Sequence, residues 1–447
     1  MTFKDGLLTA RHHIVFLLGL CSTFYLVIYL ENFDISKKTF EIKLNPNIPN
    51  VIHEPLSTQE LKWAKIAWQY FENNTHEETG LVNSVNNYPA ATMWDIASYM
   101  LGLISAYRLE IIEVTEFKKR MTLVLKSLAK IELYDGQLPN KSYNAKTLTM
   151  VDYNNNITVK GIGWSAIDIG RLFVPFNILV WNYPEYTPLV NNIINQWDLK
   201  AMVNEGVLMG ATIDNEGQTK YVQEGRIGYE EYAAKSLSLS GLDVSKALLY
   251  HDYLQYENIA GVDIPTDSRI PEIYEAHNYV VSESYILDAI EFGGNEISRE
   301  FTYRVYQAQE NRYKLQGIFT AVSEDNIDQA PYFVYNTVFS NGKAWNTITD
   351  TGEDASLFRT VSTKAAFGWH MLYNTEYTKK LIEYIDENYV ENTGWQSGIY
   401  ESDGRANTAI TANSNAIILE SLHYKAKGPL LNITHSEKRN KILSASK

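Results

Sequence analysis

From Leu56 to about residue 428 the chain carries a helical period that hardly stops, broken alternately by short turns and by long aromatic loops. That pattern constrains the fold more than any other feature. Segments such as LKWAKIAWQYFEN, WDIASYMLGLISAYRL, EFKKRMTLVLKSLAKI and WSAIDIGRLFVPFNILVW each place apolar residues three and four apart. Further segments are ESYILDAIEFG, EISREFTYRVYQAQENRY, VSTKAAFGWHMLY, TEYTKKLIEYIDENY and TANSNAIILESLHYKA. Roughly twelve helices result, with short strands expected around 208–213 and 332–338. Ser57 or Thr58 can cap the first, and Thr115 can cap the third. Twelve helices joined alternately by short and long connections predict a mainly all-α (α/α)6 toroid with long loops. Six inner helices pointing one way would gather their preceding loops on one face. No Pro/Gly/Ser-rich linker divides residues 56–430, so one domain is expected, followed by a flexible tail over 431–447.

Ahead of the domain, residues 14–30 run 17 positions without a charge, close to the roughly 20 that span a bilayer. Lys4 and Arg11 precede this run, and no small-x-small cleavage site follows it. The expectation is a cytoplasmic stub over 1–12, an uncleaved transmembrane anchor over 13–31 and an extended linker over 32–55 containing Pro46, Pro49 and Pro55. The domain would then face the periplasm from a bacterial inner membrane.

Composition excludes several chemistries. A formal net charge of −14 argues against nucleic acid, which needs a basic footprint. Cys21 is the only cysteine and lies in the apolar run, which leaves no thiolate metal site or cysteine nucleophile in the domain. No HExxH or His/carboxylate cluster points to zinc, and SEDNID and DTGED lack calcium-loop spacing. No metal and no cofactor is expected. Thirty-one tyrosines and nine tryptophans, by contrast, suit a hydroxyl-rich ligand, although toroidal cores also use aromatics heavily; the count is 31 Tyr and 9 Trp.

Acidic residues recur where a loop runs into a helix. The densest junction is Tyr221–Leu242, with Glu224, Glu230 and Glu231 beside Tyr221, Tyr229 and Tyr232. Asp95 in TMWDIASY, Asp152 in MVDYNN, Asp168 in GWSAIDIGR and Glu283 in VVSESYILDAIEFG follow the same habit. A glycosidase needs two carboxylates flanking the scissile bond and aromatic platforms for the sugar. Each acid also has a plain structural use. Glu230, Glu231, Asp95 and Glu283 could complement helix dipoles, Asp168 could pair with Arg171, and Asp152 could serve a turn.

The segments WDIASYMLGL (94–103), LPNKSYN with MVDY (138–153), GIGWSAIDIGRL (161–172), QEGRIGYEEYAAKSL (223–237), VVSESYILDAIEFG (280–293) and TANSNAIILESLHYKAKGPLL (411–431) together carry a family resemblance. The chain resembles a domain-of-unknown-function family of bacterial envelope proteins often found near exopolysaccharide genes. That family is similar to the glycoamylase-like (α/α)6 glucanases. The resemblance implies the toroid and a carbohydrate substrate. In the glucanase relatives a Tyr-x-Glu helix start bears an essential acid, which Tyr229-Glu230-Glu231 matches through Glu231.

The reading that follows is a membrane-anchored glycoside hydrolase of inverting type acting on a glucan or exopolysaccharide. Its acid would be Glu231 or Glu224, and its base or sugar ligand Asp95, Asp152 or Asp168. Trp94, Tyr153, Trp164 and Tyr229 would be platforms. Glu230, Arg226, Glu283, Tyr285, Asn140 and Lys141 would complete the substrate site. The competing reading is a non-catalytic glycan-binding or scaffold subunit of a polysaccharide synthesis or export machine. A lyase acting on uronates would want a basic cluster, which the sequence lacks.

Overall fold

The computed structural model describes residues 3–32, 42–49, 51–214 and 216–431. Residues 432–447 of the tail expected over 431–447, and residues 33–41 and 50 of the linker expected over 32–55, lie outside them. Two compact units divide the chain, Met1–Lys43 and Leu44–Lys447.

The first unit is the helix α1, Phe3–Asn32. Ser22 and Thr23 return their hydroxyls to the carbonyls of Leu18 and Gly19, at 2.5 and 2.9 Å, so these polar groups need no outside partner. Val15, Phe16, Leu17, Leu18, Leu20, Phe24 and Tyr25 are exposed. The expected span over 13–31 falls on this helix, but the side chains of 14 and 26–31 lie outside the described residues. Among the described residues no helix is long and apolar enough to cross a membrane, so the spanning helix is not supported there.

The second unit contains α2 (Thr58–Asn74), α3 (Met93–Arg108), α4 (Val114–Leu128), α5 (Ala166–Asn182), α6 (Thr187–Ile194), α7 (Tyr229–Ser238), the single turn α8 (Pro271–Tyr274), α9 (Ser282–Leu287), α10 (Glu296–Gln316), α11 (Thr363–Tyr373), α12 (Glu376–Ile385) and α13 (Ala412–Lys427). Contacts run α3–α5–α7–α9–α11–α13 and back to α3, closing a ring of six inner helices. The helices α2, α4, α6, α10 and α12 pack outside it. Where a sixth outer helix was expected, between α7 and α9, stand the antiparallel strands Leu254–Ile259 and Val262–Asp267. The reason is visible in the sequence between 254 and 267, where LQYENIAGVDIPTD alternates in period two and turns on Ala260-Gly261. The stretch 44–55, expected to be tether, belongs to this unit. Glu54 donates its N–H to the Lys425 carbonyl at 3.0 Å, and Asn45 donates to Glu300 at 2.6 Å.

Helix starts follow the caps. Ser57 closes a capping box with Glu60, worth about 1 kcal/mol. α4 begins at Val114 behind an uncapped Glu113 rather than at Thr115. Inner helices approach closely through small residues: a Cβ on Gly170 of α5 would lie 2.6 Å from the Ala233 Cβ of α7. Between the layers, Phe71 stacks on Tyr99 at 5.3 Å, and Phe367 lies edge-on to Trp63 at 5.4 Å and to Trp395 at 5.0 Å. Each such buried ring contributes about 1.5–3 kcal/mol.

Short strands lead into most inner helices and aim their first turns. Ala90–Thr92 pairs with Ser142–Asn144 before α3, and Val207–Ile213 with Thr219–Gln223 before α7. Glu324–Asn326 pairs with Phe333–Asn336, with Glu324 opposite Tyr335. Gly394–Tyr400 joins Thr360–Ser362, ahead of α11, and Ala406–Ile410, ahead of α13. The two strand regions read from the sequence are therefore present, together with more pairs than the few expected.

Candidate active site

The first turns of the six inner helices meet over the ring opening. On α3, Thr92 caps the Asp95 N–H at 3.1 Å, and Asp95 accepts from the Thr92 N–H and hydroxyl at 3.0 and 2.7 Å. That box fixes Trp94, whose indole N–H reaches across the ring to Glu283 of α9 at 3.0 Å. Asn413 of α13 donates to both Glu283 oxygens at 2.9 and 3.0 Å. Lys364 of α11 completes the set at 2.5 Å. Glu283 is thus a buried carboxylate held from three other inner helices, and Trp94 beside it is half-buried.

Beneath Trp94, the Arg171 guanidinium lies 4.7 Å from the indole ring. It donates to Glu291 at 2.7 Å, to the Tyr232 hydroxyl at 2.7 Å, to Glu420 at 3.2 Å and to Ser98 at 3.2 Å. Arg171 does not pair with Asp168, as its spacing from that residue had suggested. Burial, then neighbouring Glu291, pushes Glu420 well above the carboxylate range, although Arg171 opposes this; the two carboxyl groups share a hydrogen bond.

One wall of the opening is the start of α5. Ser165 caps the Asp168 N–H at 3.0 Å, and Glu224 accepts the Ala166 N–H at 2.5 Å. Burial and then the adjacent Glu224 push the Asp168 carboxyl up to about 7. Burial also raises Glu224, against Lys141, the Ser165 hydroxyl and the backbone N–H groups of Ala166 and Ile167. The helix start therefore gives Glu224 ready anion partners and leaves Asp168 facing a like charge.

The other wall stands beside α11, which is opposite α5 in the ring. Here burial pushes Glu324 up to about 7, opposed by Lys364 and Arg171. Asp325, also pushed up to about 7 by burial, accepts from Thr360 and Ser362 at 3.2 Å each and lies 3.6 Å from Lys364. Tyr335 stacks on Tyr279 at 3.8 Å with a 7° interplanar angle. Tyr153 is 62 % exposed, yet its hydroxyl is within electrostatic reach of Asp168, Glu224 and Asp350.

The residues singled out from the sequence divide. Trp94, Tyr153, Asp168, Glu224, Glu283 and Lys141 come together here, and Tyr229 lies edge-on to Trp94 at 5.6 Å. The others serve structure. Glu231 is buried and accepts the Gly228 N–H of its own helix at 2.7 Å; burial and then Glu230 push it up to about 8. Gly228 sits at φ 103°, and a Cβ there would meet Ser284 Oγ at 2.8 Å. Glu230 pairs with Arg269 at 2.6 Å. Asp95 is spent on its cap, and Asp152 accepts the N–H groups of Asn154 and Asn156 at 2.9 and 2.8 Å within its turn.

Trp164 is buried with its indole N–H on the Met209 carbonyl at 3.2 Å, so it is no platform. Asn140 is buried and ties Ser142, Val151 and Ile162 together. Arg226 is spent on Gln223 at 2.7 Å and on the Gly225 and Ala276 carbonyls, and Tyr285 is buried against Glu231. Sequence reasoning missed Glu324, Lys364, Asn413, Tyr279 and Tyr335. Lys364 and Asn413 occupy the same first-turn position that singled out the acids. Glu324 opens the strand Glu324–Asn326 within SEDNID, whose spacing does not fit a calcium loop. Among the described residues no group of three or more His, Cys, Asp or Glu gathers as a metal site.

A family profile described as "Protein of unknown function (DUF3131)" matches residues 62–428. No curated protein matches the chain in sequence. Its fold is similar to that of a glucoamylase-like protein from Bacteroides caccae, with TM-score 0.62, 11% identity, 86% of this chain and 97% of that chain covered. It is also similar to the endo-beta-1,2-glucanase from Chitinophaga pinensis in complex with sophorotriose and glucose, with TM-score 0.59, 12% identity, and 86% and 98% coverage. The endo-beta-1,2-glucanase from Talaromyces funiculosus with sophorose follows at TM-score 0.57, 11% identity, and 87% and 89% coverage.

Proposed function

We propose that this chain, which belongs to the DUF3131 family, is a glycoside hydrolase that acts on a glucan or glucan-like exopolysaccharide with inversion. The observation that carries the reading is the pair of carboxyl groups on opposite sides of the ring opening, Asp168 on α5 and Glu324 beside α11. The Tyr335 hydroxyl lies within electrostatic reach of both.

The division of labour follows from their neighbours. Asp168 faces the carboxylate of Glu224, which favours its protonated form. Glu324 faces Lys364 and Arg171, which favour its ionised form. Asp168 gives its proton to the glycosidic oxygen as the C1–O bond breaks. Glu324 takes a proton from water as the water oxygen bonds C1 from the opposite face. The resemblance to glucanase folds supports the substrate class, and the aromatic walls suit sugar rings. The test is hydrolysis of a β-glucan panel followed by NMR of the first-formed product. Inversion predicts an α-anomer from a β-linkage, and a β-anomer would sink the mechanism. Glu324→Gln is expected to lower turnover at least about a hundredfold. Binding of a glycan without cleavage by the wild type would favour the scaffold reading instead.

For location, the reading is a single-pass anchor through the apolar helix, with the domain on the periplasmic side. The uncharged run over 14–30 supports it. The full chain is then expected in the membrane fraction after a carbonate wash; release into the soluble fraction would overturn the anchor.

A further inference from the structure

At the ring opening the Lys364 ammonium is buried among carboxylates. Its nitrogen lies 2.5 Å from Glu283 and 3.6 Å from Asp325. Glu283 is fixed independently by Trp94 and Asn413, so that end of the contact is rigid. Asp325 is the residue next to Glu324 on the strand Glu324–Asn326, and Thr360 and Ser362 hold its other lone pairs. We infer that Lys364 is the positioning residue of the site, pinning the Glu324–Asn326 strand against Glu283 and placing a positive charge within electrostatic reach of Glu324. The inference rests on the hydrolase reading above.

Ser323 donates its hydroxyl to the Glu324 carboxylate at 2.8 Å. Lys364 comes from α11, Arg171 from α5, Tyr335 from the paired strand, and Asp325 is its chain neighbour; Glu283 of α9 faces Lys364. Of the two cations, Arg171 is already shared by Glu291 and Glu420, whereas Lys364 is balanced by Glu283 and Asp325. Removing the ammonium therefore removes the largest opposition to the burial that raises Glu324. A buried ammonium is also costly unless paired, which is why its partners surround it.

The experiment measures kcat/KM against pH for the full chain and three variants on a cleaved β-glucan. Lys364→Gln keeps a donor for Glu283 without the charge. K364M/E283Q removes both members of the buried pair, in case the single variant fails to fold. Lys364→Arg keeps the charge. The acidic limb, which reports ionisation of Glu324, is expected to move to higher pH by at least about one unit in either uncharged variant. It should stay within a few tenths of a unit in Lys364→Arg. A merely structural lysine would lower melting temperature and leave the limb in place, and that result in a folded variant overturns the inference. Glu324→Gln separates the two failures. Full turnover in Glu324→Gln means the acid–base reading itself is wrong. An inactive Glu324→Gln beside an unmoved limb means only the role of Lys364 is wrong.

Discussion

Asp168→Asn is expected to lower turnover by at least two and up to about four orders of magnitude, the usual range for a general acid, while making the protein more stable at alkaline pH. The sign follows from linkage. In the fold Asp168 titrates at about 7, against about 3.9 for an unfolded aspartate. Between those values the folded chain holds a proton that the unfolded chain has released. Stability therefore falls as pH rises through that window, and above about pH 7 the full cost of an ionised Asp168 is present. A shift of about three units corresponds to about 4 kcal/mol, and partial solvent contact reduces the expected gain on removal to about 2 kcal/mol. Asn keeps the side-chain shape and discards the charge. The measurement is kcat/KM and Tm of both proteins from pH 5 to 9. The alkaline limb of the wild-type profile should vanish in the variant, and the Tm difference should widen above pH 7. A variant that keeps wild-type turnover, or that melts lower at pH 8, would remove Asp168 from the role of acid.

The second large effect is on stability. Arg171→Met should destabilise the domain by about 3–5 kcal/mol, the cost of removing one partner from a buried ionic group. That is a large share of the roughly 5–15 kcal/mol that holds a domain folded. Arg171 is fully buried and serves Glu291, Glu420, Tyr232 and Ser98 at once. Without it, Glu291 must take up a proton or stay as an uncompensated anion inside the ring. Trp94 also loses the cation 4.7 Å from its ring. Thermal unfolding should show a fall of several degrees or more. Adding Glu291→Gln and Glu420→Gln should return part of the loss, because neutral amides need no counter-charge. A melting temperature within one degree of wild type would show that the interior network is not what holds the inner ring.

The helical period made the inner and outer helices legible because packing two helical layers demands an apolar stripe on nearly every segment. The junction rule also found Asp168, Glu224 and Trp94, since loops entering inner helices must open on one face. It does not tell Glu231 apart from these. A first-turn glutamate looks the same in sequence whether it points at a ligand or folds back on its own Gly228 N–H. The sixth outer helix gives way to the hairpin Leu254–Ile259 and Val262–Asp267, whose six-residue strands carry too short a period to stand out beside the helices.

What the sequence determined by itself was local: the helix starts at Ser57, Thr92 and Ser165, the strand at Val207–Ile213, and the placement of acids and aromatics at loop–helix junctions. These depend on caps and periodicity within a few residues. The tertiary structure decided which junction side chains meet. Glu283 is bound by Trp94, Lys364 and Asn413 from positions between 81 and 189 residues away. Glu324, 156 residues beyond Asp168, reaches the opposite wall only because the ring closes with α5 facing α11. Burial and charge neighbours set the proton affinity of both, and neither is a property of the residues nearby in the chain.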